Sequence, residues 1–507
     1  FSEQKRKMAE NPEEALSEQR IIENYLHEYR IEDVIDEIVN QVVISRPANP
    51  YLEMAAAFES KTLPEILDIH LTSLTYYGSY GVKAVIITNV GTFSGSAPYN
   101  YDITNLYLEP KDYTVLDGKL KELLTPINPQ NFKQIEEAIL SIPEIEQAES
   151  LALGIAAIRA VAKFKGVKPY ELIAELASNK EENIQIPLPV PVIASLNVPN
   201  TKAIKTIQIF PVKSSTFESA VTRLNQLFNR ILLHEKVSKP AKFSPYGNAL
   251  VDIPAIEDLM KLIIAIIQDA GEDSSFKIGV SHQGEQVMKP NDPPTPVQQY
   301  FNSAGLVKTG QELIEQLLIT WGEVDCISVD SIVAAMDIQA MRHFKKRIQE
   351  FLFEARNAGN KLPYCSKGIG NDATCNLQIP LEGSFLLSVS IQDMEKQLLE
   401  LPYNAVKLHL SSVKSLSKAI EVCDRARELN LPIILDTSSI LHKYQYSSLD
   451  TFEADFAVGV GAKQFYGNGL YDTSYSSKLN RLQEIIDESN QRIPFVGSKF
   501  RSRNDEI

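Results

Sequence analysis

Between residues 184 and 493 the chain repeats one alternation, a short apolar run accompanied by an amphipathic helical stretch. The runs are "IPLPVPVIASL", "FKIGVS", "DCISVD", "KLPYCS", "NAVKLHL", "LPIILD" and "FAVGVGA", and helical periodicity occupies 253–270, 309–320, 414–429 and 477–490. Short apolar runs of this kind suit strands buried on both faces, as strands covered by helices are. Repeated over about 300 residues, such units predict a parallel barrel rather than an open sheet, with any chemistry where the strands end.

One of these strands carries a charge. Ala405, Val406, Leu408 and Leu410 favour an interior, yet Lys407 lies among them. A buried, unpaired ammonium costs several kcal/mol, so some group must receive it.

Composition narrows the partners. Fifty basic against sixty-five acidic side chains give a net charge of −15 and no basic cluster offsets it, which argues against nucleic acid or an anionic membrane as partner. Apolar runs such as "LALGIAAI" and "LIIAII" fall short of the roughly 18 residues a membrane span needs. Cys326, Cys365, Cys375 and Cys423 show no paired metal-ligand spacing and read as reduced core thiols in a cytoplasmic protein.

The first block, residues 1–62, is charged and helical in pattern. Ile31, Val34, Ile35, Ile38, Val39, Val42 and Val43 draw one apolar stripe down a helix. "SRPANPYLEMAAAF" then ends and restarts it, with Asn49 as cap, Pro50 at the first helical position, and Leu52, Ala55 and Ala56 as a new apolar face. Such a hairpin cannot enclose its own stripe, so it pairs with another copy, a related chain or the rest of the molecule. The block resembles the docking and dimerisation module of the regulatory subunit of cyclic-AMP-dependent protein kinase. That resemblance implies a four-helix dimer, homo- or heteromeric, whose groove takes an amphipathic helix of an anchoring protein. It assigns docking to Val34, Ile35, Ile38, Val42, Arg46, Pro47, Pro50 and Leu52.

Residues 71–182 read as an α+β cap. "YYGSYGVKAVIITN" has strand content and "GTFSGSAP" reads as a turn. "QAESLALGIAAIRAVAKFKGVKPYELIAELASN" gives two helices, the first ended by Gly166 and the second opened by Pro169. Residues 494–507 are a tail.

From about Leu71 to Ile493 the order of cap and barrel is similar to enolase. The segments that carry the likeness are "YYGSYGVKAVIIT", "SLALGIAAIRAVAKFKGVKPYELIAELASNKEENIQIPLPVPVIASLN" and "VGVGAKQFYGNGLYDTSYSSKLNRLQEI". The resemblance implies an enolase-like (β/α)8 barrel with an N-terminal capping domain. Enolase chemistry removes a weakly acidic proton α to a carboxylate, using a lysine base and Mg²⁺ with hard oxygen ligands. Lys407 falls at the base position. The first of three metal carboxylates is Ser281, the second is Asp330, and the third falls near Ser366, Lys367 and Asp372. Thr206 and Tyr246 stand where two glutamates belong; Thr437, Ser438 and Ser439 replace the cationic phosphate clamp; Tyr466 replaces the second lysine, with Lys463 three residues away. His282 and His409 read as satisfied polar side chains. The set implies a dismantled site, needing no cofactor unless it is active with Mg²⁺, in which Lys407 pairs with Asp330 or Asp436. Joined to a docking block, it resembles the enolase-like type of sperm flagella. That likeness implies a scaffold in an axoneme, with a weak phosphopyruvate hydratase as the alternative.

Overall fold

The computed structural model describes residues 12–61, 64–76, 79–99, 109–177, 187–197, 206–237, 242–243, 249–251, 253, 256–272, 275–281, 288–289, 297–302, 305–323, 326–330, 333–334, 337–357, 374–378, 405–428, 431–438, 448–490 and 492–500. It divides into two compact units, Phe1–Pro64 and Glu65–Ile507.

Among its described residues the first unit holds three helices, α1 (Pro12–Glu28), α2 (Ile31–Ser45) and α3 (Pro50–Lys61), one more than the expected hairpin. Asn49 caps α3 by accepting the Leu52 N–H at 3.2 Å, and Pro50 opens it. Arg46 ends α2 in the left-handed conformation, with its N–H on the Val42 carbonyl. Of the expected stripe only Ile38 and Val42 are buried; Val34 is half-buried, and Ile35, Val39 and Val43 are exposed.

The second unit begins with an antiparallel sheet of β1 (Ile66–Tyr76), β2 (Ser79–Thr88) and β3 (Gly91–Pro98). The first strand therefore starts five residues before Leu71. "GTFSGSAP" is the strand β3 and not the turn its composition suggested. Its small residues serve a close approach: a Cβ on Gly95 would lie 2.3 Å from the Ala152 carbonyl of the helix above. After α4 (Thr114–Leu124) and α5 (Phe132–Leu140), that alanine-rich helix is α6 (Gln147–Lys165). Gly166 ends it at φ 69°, and α7 (Pro169–Leu176) follows.

Eight further strands are hydrogen-bonded in a cyclic order. They are β4 (Val190–Asn197), β5 (Thr206–Pro211), β8 (Phe276–Ser281), β11 (Cys326–Asp330), β12 (Thr374–Gln378), β13 (Ala405–Leu408), β14 (Ile433–Asp436) and β15 (Gln464–Gly467), and β15 pairs back onto β4. Short pairs β6 (Lys242–Phe243) with β7 (Ala249–Leu250), and β9 (Gln299–Phe301) with β10 (Val307–Thr309), lie outside the ring. Helices α8 (Phe217–Leu233), α9 (Ile256–Asp269), α10 (Gly310–Glu323), α11 (Ile338–Asn357), α12 (Leu416–Glu428), α13 (Phe452–Gly459) and α14 (Thr473–Glu488) accompany the strands.

Three expectations are corrected here. Strand β5 runs antiparallel to both neighbours, so the ring is not wholly parallel. "FAVGVGA" is the end of α13, and the strand begins at Gln464. A short, uniformly apolar run fits a helix buried all round as well as a strand, and Phe452–Gly459 is such a helix. Strands β5 and β12 were not anticipated, while "KLPYCS" lies outside the described residues.

Period-two alternation sorts the strands into two faces. Val406, Leu408, Ile433, Leu435 and Phe465 join the core beneath the helices, whereas Val190, Val192, Phe210, Ala405, Ile434 and Tyr466 form a separate interior cluster with Val496 and Phe500. Residues 494–500, expected as tail, thus bring Phe500 into the ring, where it stacks on Phe210 at 5.6 Å. Buried Glu136, on α5, ties that helix to the ring's α12. Its carboxylate accepts N–H bonds from Leu416 and Ser417 at the start of α12.

Candidate functional site

The antiparallel course of β5 places its first residue, Thr206, opposite Ser281, the last of β8, and Ser281 pairs in turn with Asp330. Across the ring, Lys407 pairs with Gln378 and Asp436 with Tyr466. Strand ends far apart in sequence therefore meet at one mouth.

Lys407 shares a face with Ala405, and Asp436 with Ile434, so both point inward. The Lys407 ammonium lies 2.6 Å from Asp436 Oδ2 and 5.1 Å from the centre of the Tyr466 ring. Both ions are nearly sealed, at 8% and 3% exposure. Ser438 donates its hydroxyl at 2.6 Å and its N–H at 2.8 Å to Asp436 Oδ1. Burial pushes the Asp436 carboxyl up. The Lys407 and His409 charges and these hydrogen bonds outweigh burial, leaving it below its usual value.

The hydroxyls of Thr437 and Tyr466 also have partners. Thr437 Oγ1 donates to the Tyr466 carbonyl at 2.8 Å, and Tyr466 Oη lies 3.4 Å from Ser328 Oγ. His409 donates from Nε2 to the Ser438 carbonyl at 2.9 Å, and its Nδ1 lies 2.7 Å from the Ser411 hydroxyl. Thr206 and Ser281 are buried. Tyr466 is fully buried and packs edge-on against Phe210. Lys463 alternates with the inward Gln464 and Tyr466 and so faces away from Lys407. Burial and then Lys499 push its ammonium below its usual value.

Of the expected positions, the structure gathers Lys407, Asp436, Thr437, Ser438, His409 and Tyr466, and sets Thr206 and Ser281 together by strand register. Asp330 is placed by its backbone alone. Tyr246, His282, Ser366, Lys367, Asp372 and Ser439 lie outside the described residues. Missed from sequence were Ser328, Gln208, Phe210 and Phe500, which fill the interior below the mouth. The alternation in "TIQIFP" was the available signal for the second and third of these.

Ser281 and Thr206 offer neutral hydroxyls where Mg²⁺ chemistry needs carboxylates, and the Asp436 carboxylate is committed to Lys407. Among the described residues no group of three His, Cys, Asp or Glu side chains could hold a metal ion. Thr206, Ser281 and Asp436, as placed, do not by themselves make a site for the ion.

No protein-family model matches the chain. Among curated proteins it is similar to cytosolic enolase 3 of Arabidopsis thaliana, 20% identical over 509 residues that span 95% of this chain and 99% of the relative. The similarity supports an enolase-family relationship. The helix-and-strand composition of the structure fits the α/β class of that relationship. No described helix is long and apolar enough to cross a membrane.

Proposed function

We propose that the chain is a catalytically inactive enolase-like protein, a capped barrel of the enolase type that serves as a scaffold and docks into a larger assembly through its N-terminal helices. One observation carries this reading: the lysine at the base position spends its charge on Asp436 at 2.6 Å inside the ring. A general base must be able to accept a proton from substrate. A carboxylate held against the ammonium stabilises the charged form and opposes that step.

The remaining mouth groups support it. Stabilising a doubly charged intermediate needs concentrated positive charge, and Thr437, Ser438 and Tyr466 supply hydroxyls already bonded within the protein. The exposed apolar residues of α2 support docking, and by its resemblance the assembly we propose is a ciliary or flagellar axoneme. The second reading is a weak phosphopyruvate hydratase. What favours it is the span of the enolase similarity, together with a lysine retained, facing inward, near a strand end.

The test is a coupled assay for phosphoenolpyruvate formed from 2-phosphoglycerate at saturating Mg²⁺. The expected rate is that of the buffer blank. Turnover that Lys407→Ala abolishes would overturn the scaffold reading and establish the hydratase.

A further inference from the structure

At the floor of the ring, the end away from the mouth, residues 494–500 run past the strand starts. Leu188, just ahead of β4, donates its N–H to the Pro494 carbonyl at 2.8 Å and accepts the Val496 N–H at 3.0 Å. The run continues through a short turn, Gly497–Lys499, to Phe500, whose carbonyl accepts from Gln464 Nε2 at 3.5 Å. Lys463 immediately precedes β15 at this floor, and its carbonyl accepts the Val190 N–H at 3.0 Å. The segment between β5 and α8 lies against the same run: a Cβ on Gly497 would be 3.4 Å from the Ser214 carbonyl, and Phe217 packs edge-on against Phe495.

Lys463 is only 4% exposed, yet among the described residues no acid lies within ion-pair distance of its ammonium. The charge that acts on it is a second cation, Lys499 of the turn. The other buried lysines are answered differently: Lys407 has Asp436 at 2.6 Å and Lys478 has Glu453 at 2.5 Å. A buried ammonium with no counter-charge is costly, and a neighbouring ammonium adds to the cost, so a negative group brought in from outside would relieve both. At the Gly497 end of the turn the Ser214 hydroxyl is buried as well and has no hydrogen-bond partner. It stands just ahead of the 17-residue helix α8, whose first turn favours negative charge.

We infer that the floor of the ring binds a small oxyanion of the phosphate class, held between the Lys463 and Lys499 ammonium groups with the Ser214 hydroxyl as a neutral donor. Two negative charges on one compact ion match two ammonium groups, which a halide would not. Because Lys463 is nearly sealed, the ligand is a free ion rather than a bulky ester. The site lies at the opposite end of the strands from Lys407 and Asp436 and stands apart from the chemistry of the mouth. The chain's net charge of −15 repels anions at long range, so capture of one reports this local pair.

The probe is inorganic phosphate, titrated into the full chain near neutral pH at an ionic strength held constant with chloride, and followed by calorimetry and by the thermal unfolding midpoint. Saturable binding and a midpoint that rises with phosphate are expected, since the ion binds the folded state. Lys463→Met keeps the aliphatic stem and removes the charge, so it should abolish both responses. In phosphate-free buffer it should unfold no earlier than wild type, because a buried charge has gone. Lys499→Ala changes an exposed side chain and should weaken phosphate binding at least about fivefold. Phenyl phosphate should not compete; competition would overturn the assignment to a free ion. Failure of wild type to bind phosphate would overturn the inference, as would binding that both variants retain, which places the ion elsewhere. Should Lys463→Met not fold, the comparison of wild type with Lys499→Ala decides: equal affinities refute the site.

Discussion

Asp436→Asn isolates the buried ion pair on which the functional reading depends. At the observed 2.6 Å and an effective dielectric of about 20, the attraction is about 6 kcal/mol. Desolvation of both ions offsets part of this, and removing one partner of a buried pair costs about 3–5 kcal/mol, because the other charge stays sealed in. The asparagine variant is expected to lose that amount in denaturant unfolding followed by circular dichroism. Replacing both ions, as Lys407→Met with Asp436→Leu, should restore most of it, since no buried charge then remains. The pH dependence has a definite sign. The folded Asp436 carboxyl lies below its unfolded value, so its contribution is whole above about pH 4 and disappears as pH falls through the folded value. Wild type should lose stability in that acid window more steeply than Asp436→Asn. An asparagine variant within about 1 kcal/mol of wild type, a typical cost for an unremarkable substitution, would refute the reasoning, as would a double variant no better than the single.

Two further outcomes follow from packing. A Cβ on Gly467 would lie 2.0 Å from the Tyr475 ring, so Gly467→Ala should destabilise by about 1–3 kcal/mol through overpacking, measured as a lowered unfolding midpoint. Cys423 is fully buried and its thiol is pushed up to about 12 by burial, so it should resist a thiol reagent in the native protein and react on denaturation.

Much of the architecture was legible because burial imposes periodicity. The caps written as Asn49–Pro50 and Gly166–Pro169 set the ends of α3, α6 and α7 through local backbone chemistry, and each appears in the structure as read. "FAVGVGA" and "GTFSGSAP" were misread for one reason. Runs of small residues report that something packs closely, and the identity of the neighbour decides between strand, turn and helix. Lys407 could be seen to need an acid, and Asp330 and Asp436 were equally available along the chain.

What the sequence determined by itself was the local and periodic part: an acidic chain, a helical N-terminal block, strand and helix units, and a lysine stranded in an apolar strand. Tertiary structure decided the rest, because pairing across a ring depends on register and direction, which no single segment contains. The reversed course of β5 brought Thr206 to the mouth, Phe500 returned from the far end of the chain to fill the interior, and the offset of β14 against β13 gave Lys407 to Asp436.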